Sequence, residues 1–132
     1  MSSVERPAPK PRPVYLNLAR IRLPLPALVS ILHRISGAAL MLVGVPLLLA
    51  AVQASLASPE AFEALHRQWS TPWAKIVLIG LVWAFLHHFC AGLRFLLLDM
   101  LQFIELKPAR QSSAVVLIAS LALTLLIAVR LW

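Results

Sequence analysis

The chain has 132 residues, 61% hydrophobic and 13% charged, where soluble domains carry about a quarter charged residues. That balance excludes an ordinary water-soluble domain and places the chain in a membrane, where each crossing takes about 20 apolar residues and this length accommodates three. Twelve Lys and Arg against five Asp and Glu give a net charge of +7, but the cations flank apolar runs instead of forming a basic face, which excludes a nucleic-acid partner.

Residues 1–26 read as a cytoplasmic, proline-rich N-terminal arm. Pro7, Pro9, Pro11 and Pro13 are interleaved with Arg6, Lys10 and Arg12, a composition that favours extended backbone, either free or lying on a soluble partner. No short apolar segment ending in a small-residue cleavage site precedes the first long apolar run, so the first helix is expected to serve as its own insertion signal. Residues 27–132 are expected to form the transmembrane domain, with helices over about 27–56, 72–101 and 112–131. Pro24 and Pro26 suit the approach to a helix or its first turn, and Pro46 is expected to kink the first span.

Between the first two spans, Ser58-Pro59-Glu60 is a cap, a proline and an acid, the opening of a helix. Phe62, Leu65 and Trp69 follow at helical spacing, which predicts a short amphipathic helix in the interface. This loop holds two acids and one arginine before Lys75, fewer cations than the first 34 residues, so it lies outside and the N-terminus is cytoplasmic. Thr71-Pro72-Trp73 repeats the cap-and-proline signal, with Trp73 as an interface anchor. The second span contains His87 and His88 in its uncharged stretch from Ile76 to Leu93. Asp99, Glu105, Lys107, Pro108 and Arg110 are expected in an inner return loop, and Ser112 or Ser113 as the cap of a third helix that carries no chemistry. Cys90 stands alone, so no disulfide forms within the chain. Phosphate loops, cysteine pairs and nucleophile elbows are absent from the sequence.

Chemistry therefore falls to the polar groups of the first two spans. Ser30, His33 and Arg34 are i, i+3 and i+4, one face of one turn, and no charged residue occurs from Ile35 to Pro59. An arginine at membrane depth costs about 2.5–3.5 kcal/mol. Arg34 and Arg94 could snorkel to headgroups, yet antiparallel neighbours would set arginines and histidines at a similar level on both helices. His88 lies about 9 Å deeper than Arg94 at 1.5 Å per residue. Ala84, Ala91 and Gly92 surround His88 on its own face, leaving room for a broad flat ligand such as haem. His87, with Ala84 and Ala91 beside it, is nearly as favourable, and either histidine could simply hydrogen-bond between helices. Were haem present, His33, Arg34 and Arg94 could hold its propionates. The second axial ligand would then come from another chain, because His66 is in the outer loop and His33 is at propionate level. An anion-binding transporter subunit and a haem-free anchor are the alternatives.

At this point the residues resemble a known pattern. Arg12-Pro13-Val14, then Ser30, His33-Arg34 and Ser36 at these spacings, resemble the N-terminal signature of the cytochrome b membrane-anchor subunit of succinate dehydrogenase, the succinate:quinone oxidoreductase. His88, Gly92, Leu93, Arg94 and Asp99 resemble its second signature. The resemblance implies an all-α membrane protein that forms a haem-binding helix bundle with a second anchor subunit. It also implies an iron–sulfur subunit and a flavoprotein carrying the iron–sulfur clusters and FAD, and haem b between the two anchors. It implies His88 as the axial ligand of the haem iron, Ser30 and Arg34 at a ubiquinone site, and His33, Arg34 and Arg94 near the propionates. Phe95 departs from the histidine that many members have there, and Met100-Leu101 follows Asp99 where a small residue is common. The short N-terminus, without a long Arg- and Ser-rich leader, points to a bacterial inner membrane.

Overall fold

The computed structural model describes residues 21–101 and 106–132. Most of the proline-rich arm, with Arg12-Pro13-Val14, and Glu105 lie outside the described residues. Pro24 is extended and Pro26 sits in the first turn of α1 (Leu25–Ala39), where a missing amide N–H breaks no helical bond. One wide turn of π-helix, Leu40–Gly44, connects α1 to α2 (Val45–Ala57), and together they make one continuous span of 33 residues. The wide turn has a local cause in Pro46, which donates no hydrogen bond and would press its ring on the Leu42 carbonyl in a regular helix.

Helix α3 (Pro59–Trp69) begins at extended Ser58, whose hydroxyl accepts from the Ala61 N–H at 3.2 Å. Glu60 lies in its first turn and His66 and Arg67 in its last, each sign at the end of the helix dipole that favours it. The Ser58 hydroxyl, followed by the backbone, holds the Glu60 carboxyl below its ordinary pKa.

Two further spans follow, α4 (Pro72–Leu101) and α5 (Leu106–Leu131). Thr71, expected as a cap, turns its hydroxyl back to donate to the Gln68 carbonyl at 2.8 Å. Asp99 belongs to the last turn of α4 and not to the return loop. The third span starts at Leu106, several residues before the expected 112, and so takes in Lys107, Pro108 and Arg110. Pro108 is compatible with this because first-turn amides have no acceptor four residues back. Ser112 and Ser113 consequently lie inside the helix, donating to the Ala109 carbonyl at 3.2 and 2.7 Å instead of capping its start.

Helix α4 packs most extensively, against both α1 and α5, and α1 and α5 also touch each other. Lys75 near its start reaches the Trp132 carbonyl at 3.5 Å and lies over that indole, which sets α4 and α5 antiparallel. Each span gives one residue to the small core, Val29, Ala91 and Val116, with Cys90, Phe95 and Leu117 against it. Buried positions are otherwise small or polar: Ala84, Ser36, Ser113, Ser120, Thr124, His87 and Arg94. Large apolar side chains point outward, Leu56 at 81% and Leu42 at 75% exposure. Small residues inside and leucines outside is the arrangement of helices packed in hydrocarbon, where close backbone approach holds the bundle together. Ser113, Val116, Ser120 and Thr124 recur at i, i+3, i+7 and i+11 on the buried face of α5. The three hydroxyls among them donate to carbonyls of their own helix, so none is left unpaired.

Candidate functional site

The antiparallel register of α1 and α4 sets His33 level with Gly92 and Gly37 level with His88, so each histidine faces a glycine of the other helix. A Cβ built on Gly92 would sit 3.5 Å from His33 Nε2, an ordinary contact. One built on Gly37 would sit 2.7 Å from His88 Cε1, closer than real Cβ atoms come, and 3.1 Å from its Nδ1, so the ring would have to shift. The absent side chain of Gly37 is what lets the His88 ring lie on the α1 backbone. The two imidazoles then stack, centroids 4.1 Å apart and planes within 10°, and Phe95 meets His33 edge-on at 5.3 Å.

His88 Nδ1 is 3.0 Å from the His33 carbonyl oxygen. A carbonyl only accepts, so Nδ1 carries the proton and Nε2 keeps its lone pair. The buried Ser36 hydroxyl donates to the same carbonyl at 3.0 Å and lies 3.4 Å from Nδ1. With its proton committed to the carbonyl, Ser36 offers Nδ1 only an acceptor, which favours the same tautomer. Nε2 has no hydrogen-bond partner among the described residues. A neutral imidazole whose distal N–H is fixed by a backbone carbonyl is the donor that a haem iron or other metal takes, so His88 fits an axial ligand. Among the described residues no group of three or more His, Cys, Asp and Glu is placed to hold a bare metal ion, and a further ligand would come from outside this chain.

One turn toward the start of α1, Arg34 Nη2 donates to Ser30 Oγ at 3.2 Å, with Arg34 exposed and Ser30 half-buried. The serine keeps its own proton for another acceptor. The structure thus brings Ser30 to Arg34 and His33 to His88.

It sends Arg94 the other way. Arg94 is 6% exposed, and its guanidinium donates from Nε to Ser112 Oγ at 2.9 Å and from Nη2 to the Ala109 carbonyl at 3.2 Å. It also lies over the Phe95 ring at 5.3 Å, so Phe95 touches both Arg94 and His33. The sequence sets Arg94 with the propionate group of His33 and Arg34. The early start of α5 explains the difference, since a buried cation takes the nearest acceptors and this start brings Ala109 and Ser112 alongside α4.

His87, the competing histidine, is fully buried, with neither ring nitrogen bonded to another described residue. It stacks on Trp83 at 5.4 Å and, being enclosed, presents no nitrogen to the surroundings of the bundle. Sequence reasoning gives no role to Gly37 and none beyond the signature to Ser36. The available signal is a serine–glycine pair one turn beyond His33 in an otherwise apolar helix. Ser112 is a partner of Arg94 and not the cap that its position suggests.

Three apolar spans with their polar groups gathered in the seams define a multi-pass membrane protein. The family described as succinate dehydrogenase/fumarate reductase transmembrane subunit matches residues 8–127, and the chain belongs to that family. It is 36% identical over 118 residues to the succinate dehydrogenase cytochrome b556 subunit of Paracoccus denitrificans, covering 87% of this chain and 88% of that protein. To the subunit of the same name from Coxiella burnetii (strain RSA 493 / Nine Mile phase I) it is 34% identical over 122 residues, covering 92% of this chain and 97% of the relative.

Proposed function

We propose that this chain is the membrane anchor of a succinate dehydrogenase complex in a bacterial inner membrane, ligating haem b through His88 and lining the site where ubiquinone is reduced. The observation that carries the reading is the His88 Nδ1–H bond to the His33 carbonyl at 3.0 Å, which leaves Nε2 free as a ligand. The cytochrome b556 names of the two relatives support haem as the ligated group. The partners are a second anchor subunit supplying the other axial ligand, an iron–sulfur subunit and a flavoprotein that oxidises succinate, with iron–sulfur clusters and FAD in the latter two. Membrane lipid surrounds the spans, and the N-terminus faces the cytoplasm.

Bound haem supplies a one-electron acceptor between the two anchors. His33 and Arg34, one turn from the ligand toward the inner end of α1, hold its propionates by charge-assisted hydrogen bonds. Arg94, engaged with α5, contributes to that set only through Phe95, which it shares with His33. For ubiquinone, Arg34 donates to Ser30 Oγ, and a hydroxyl polarised in this way is a stronger donor to a quinone carbonyl. The same guanidinium stabilises negative charge that develops on the oxygen during reduction.

The haem assignment is tested optically. Purified complex carrying His88→Ala should lose or alter its reduced b-type spectrum, and an unchanged spectrum rejects His88 as ligand. The quinone assignment is tested by paired assays: Ser30→Ala and Arg34→Leu should lower succinate-to-quinone turnover by about 100-fold, the lower end of the range for removing one charge-stabilising donor, while succinate oxidation by an artificial acceptor persists. Undiminished quinone turnover removes these two residues from the site. Co-purifying flavin and iron distinguish this reading from a transporter subunit.

A further inference from the structure

Which plane the His88 ring adopts is decided by α1, and three groups of that helix bear on it. At the Cε1 end of the ring, Gly37 offers bare backbone: a Cβ there would reach Cε1 at 2.7 Å, Nδ1 at 3.1 Å and Nε2 at 3.7 Å. Against its face lies the His33 ring at 4.1 Å, within 10° of parallel. On its Nδ1 edge the His33 carbonyl accepts at 3.0 Å, with Ser36 Oγ at 3.4 Å. A carbonyl bond alone leaves an imidazole free to swing about the N–H···O direction. The close approach at Gly37 and the stacked face of His33 remove that freedom.

We infer that Gly37 and the His33 ring are positioning residues that fix the rotational angle of the His88 imidazole, and with it the angle that this ligand presents at a haem iron. The inference rests on His88 being the axial ligand. It gives the two glycines of the seam different tasks, although they occupy reciprocal places. Gly37 is required because the ring occupies the space a methyl group would take. Gly92, whose Cβ would meet His33 at an ordinary 3.5 Å, accepts alanine. It also separates the His33 ring from any part the same residue plays at a propionate, because stacking needs only an aromatic face whereas a propionate bond needs the N–H.

The low-spin electron paramagnetic resonance signal of a haem with two histidine ligands depends on the angle between the two ring planes, so it reads this geometry without reference to turnover. In purified complex, Gly37→Ala should shift that signal and lower the haem bound per flavin, while Gly92→Ala keeps both as in wild type. If Gly37→Ala does not assemble, the comparison passes to His33: His33→Ala should shift the signal and His33→Phe, which keeps a flat face, should retain it. A wild-type signal and full haem content in an assembled Gly37→Ala complex overturn the inference, as does an equal shift in His33→Ala and His33→Phe. His88→Ala separates this from the reading beneath it. If that variant keeps the wild-type signal, the ligand assignment itself is wrong; if it loses the signal while Gly37→Ala does not, only the positioning inference fails.

Discussion

The two seams flanking α4 are built from the same kinds of residue and end in opposite conditions. Between α4 and α5, Arg94, Ser112, Ser113, Ser120 and Thr124 all donate to acceptors within the chain. Between α1 and α4, His88 keeps unused capacity, because its Nε2 has no hydrogen-bond partner among the described residues, whereas the unpaired nitrogens of His87 and Trp83 are enclosed within the bundle. Polar groups in hydrocarbon are costly unless paired, so a seam with its bonds closed is a fastening and one with a bond left over is a site. What separates the seams is the balance of donors against acceptors. On the α5 side a backbone carbonyl, Ala109, gathers bonds from Arg94, Ser112 and Ser113. On the α1 side the His33 carbonyl gathers only one end of His88 and the Ser36 hydroxyl.

Substitutions in the closed seam give the sharpest contrast. Arg94→Leu removes a buried guanidinium and two hydrogen bonds, and should destabilise the bundle by about 1–2 kcal/mol, near the upper end for polar contacts between membrane helices. Thermal inactivation of the purified complex should then begin at lower temperature while the haem spectrum persists. If the stability is unchanged, the α4–α5 seam is not a fastening. Ser120→Ala should cost only a few tenths of a kcal/mol, since that hydroxyl serves its own helix and its loss strands no donor on α4. A loss of haem in this variant would blur the distinction between the seams.

The smallest effect lies outside both seams, at α3. Glu60 has its pKa lowered in the folded state. A lowered pKa adds stability above the carboxyl's ordinary value, and that contribution is lost as pH falls through the folded value. Ser58→Ala removes the leading cause, so a pH titration of the labelled carboxyl should show Glu60 moving up toward its ordinary range. An unmoved titration would mean that the serine does not set it.

Much of this architecture is legible in the residues because hydrocarbon makes simple demands. A run from Ile35 to Pro59 without charge reads as a span, and Ser58-Pro59-Glu60 reads as a helix opening, since length and local bonding decide both. The start of α5 is obscured by Lys107, Pro108 and Arg110, which look like a loop but tolerate a first helical turn. The direction of Arg94 follows from that start and is hidden with it. The pairing of Gly37 with His88 depends on the register between two helices 51 residues apart in sequence, and no local pattern carries that number. Small residues around His88 on its own helix are visible, whereas the one that its ring touches is on the neighbour.

The most direct measurement takes one variant from each seam, His88→Ala and Arg94→Leu, and records reduced-minus-oxidised spectra on complexes matched for flavin. The open-seam account predicts that the b-type band is lost or altered in His88→Ala and retained in Arg94→Leu. A band that survives in His88→Ala and disappears in Arg94→Leu would contradict it.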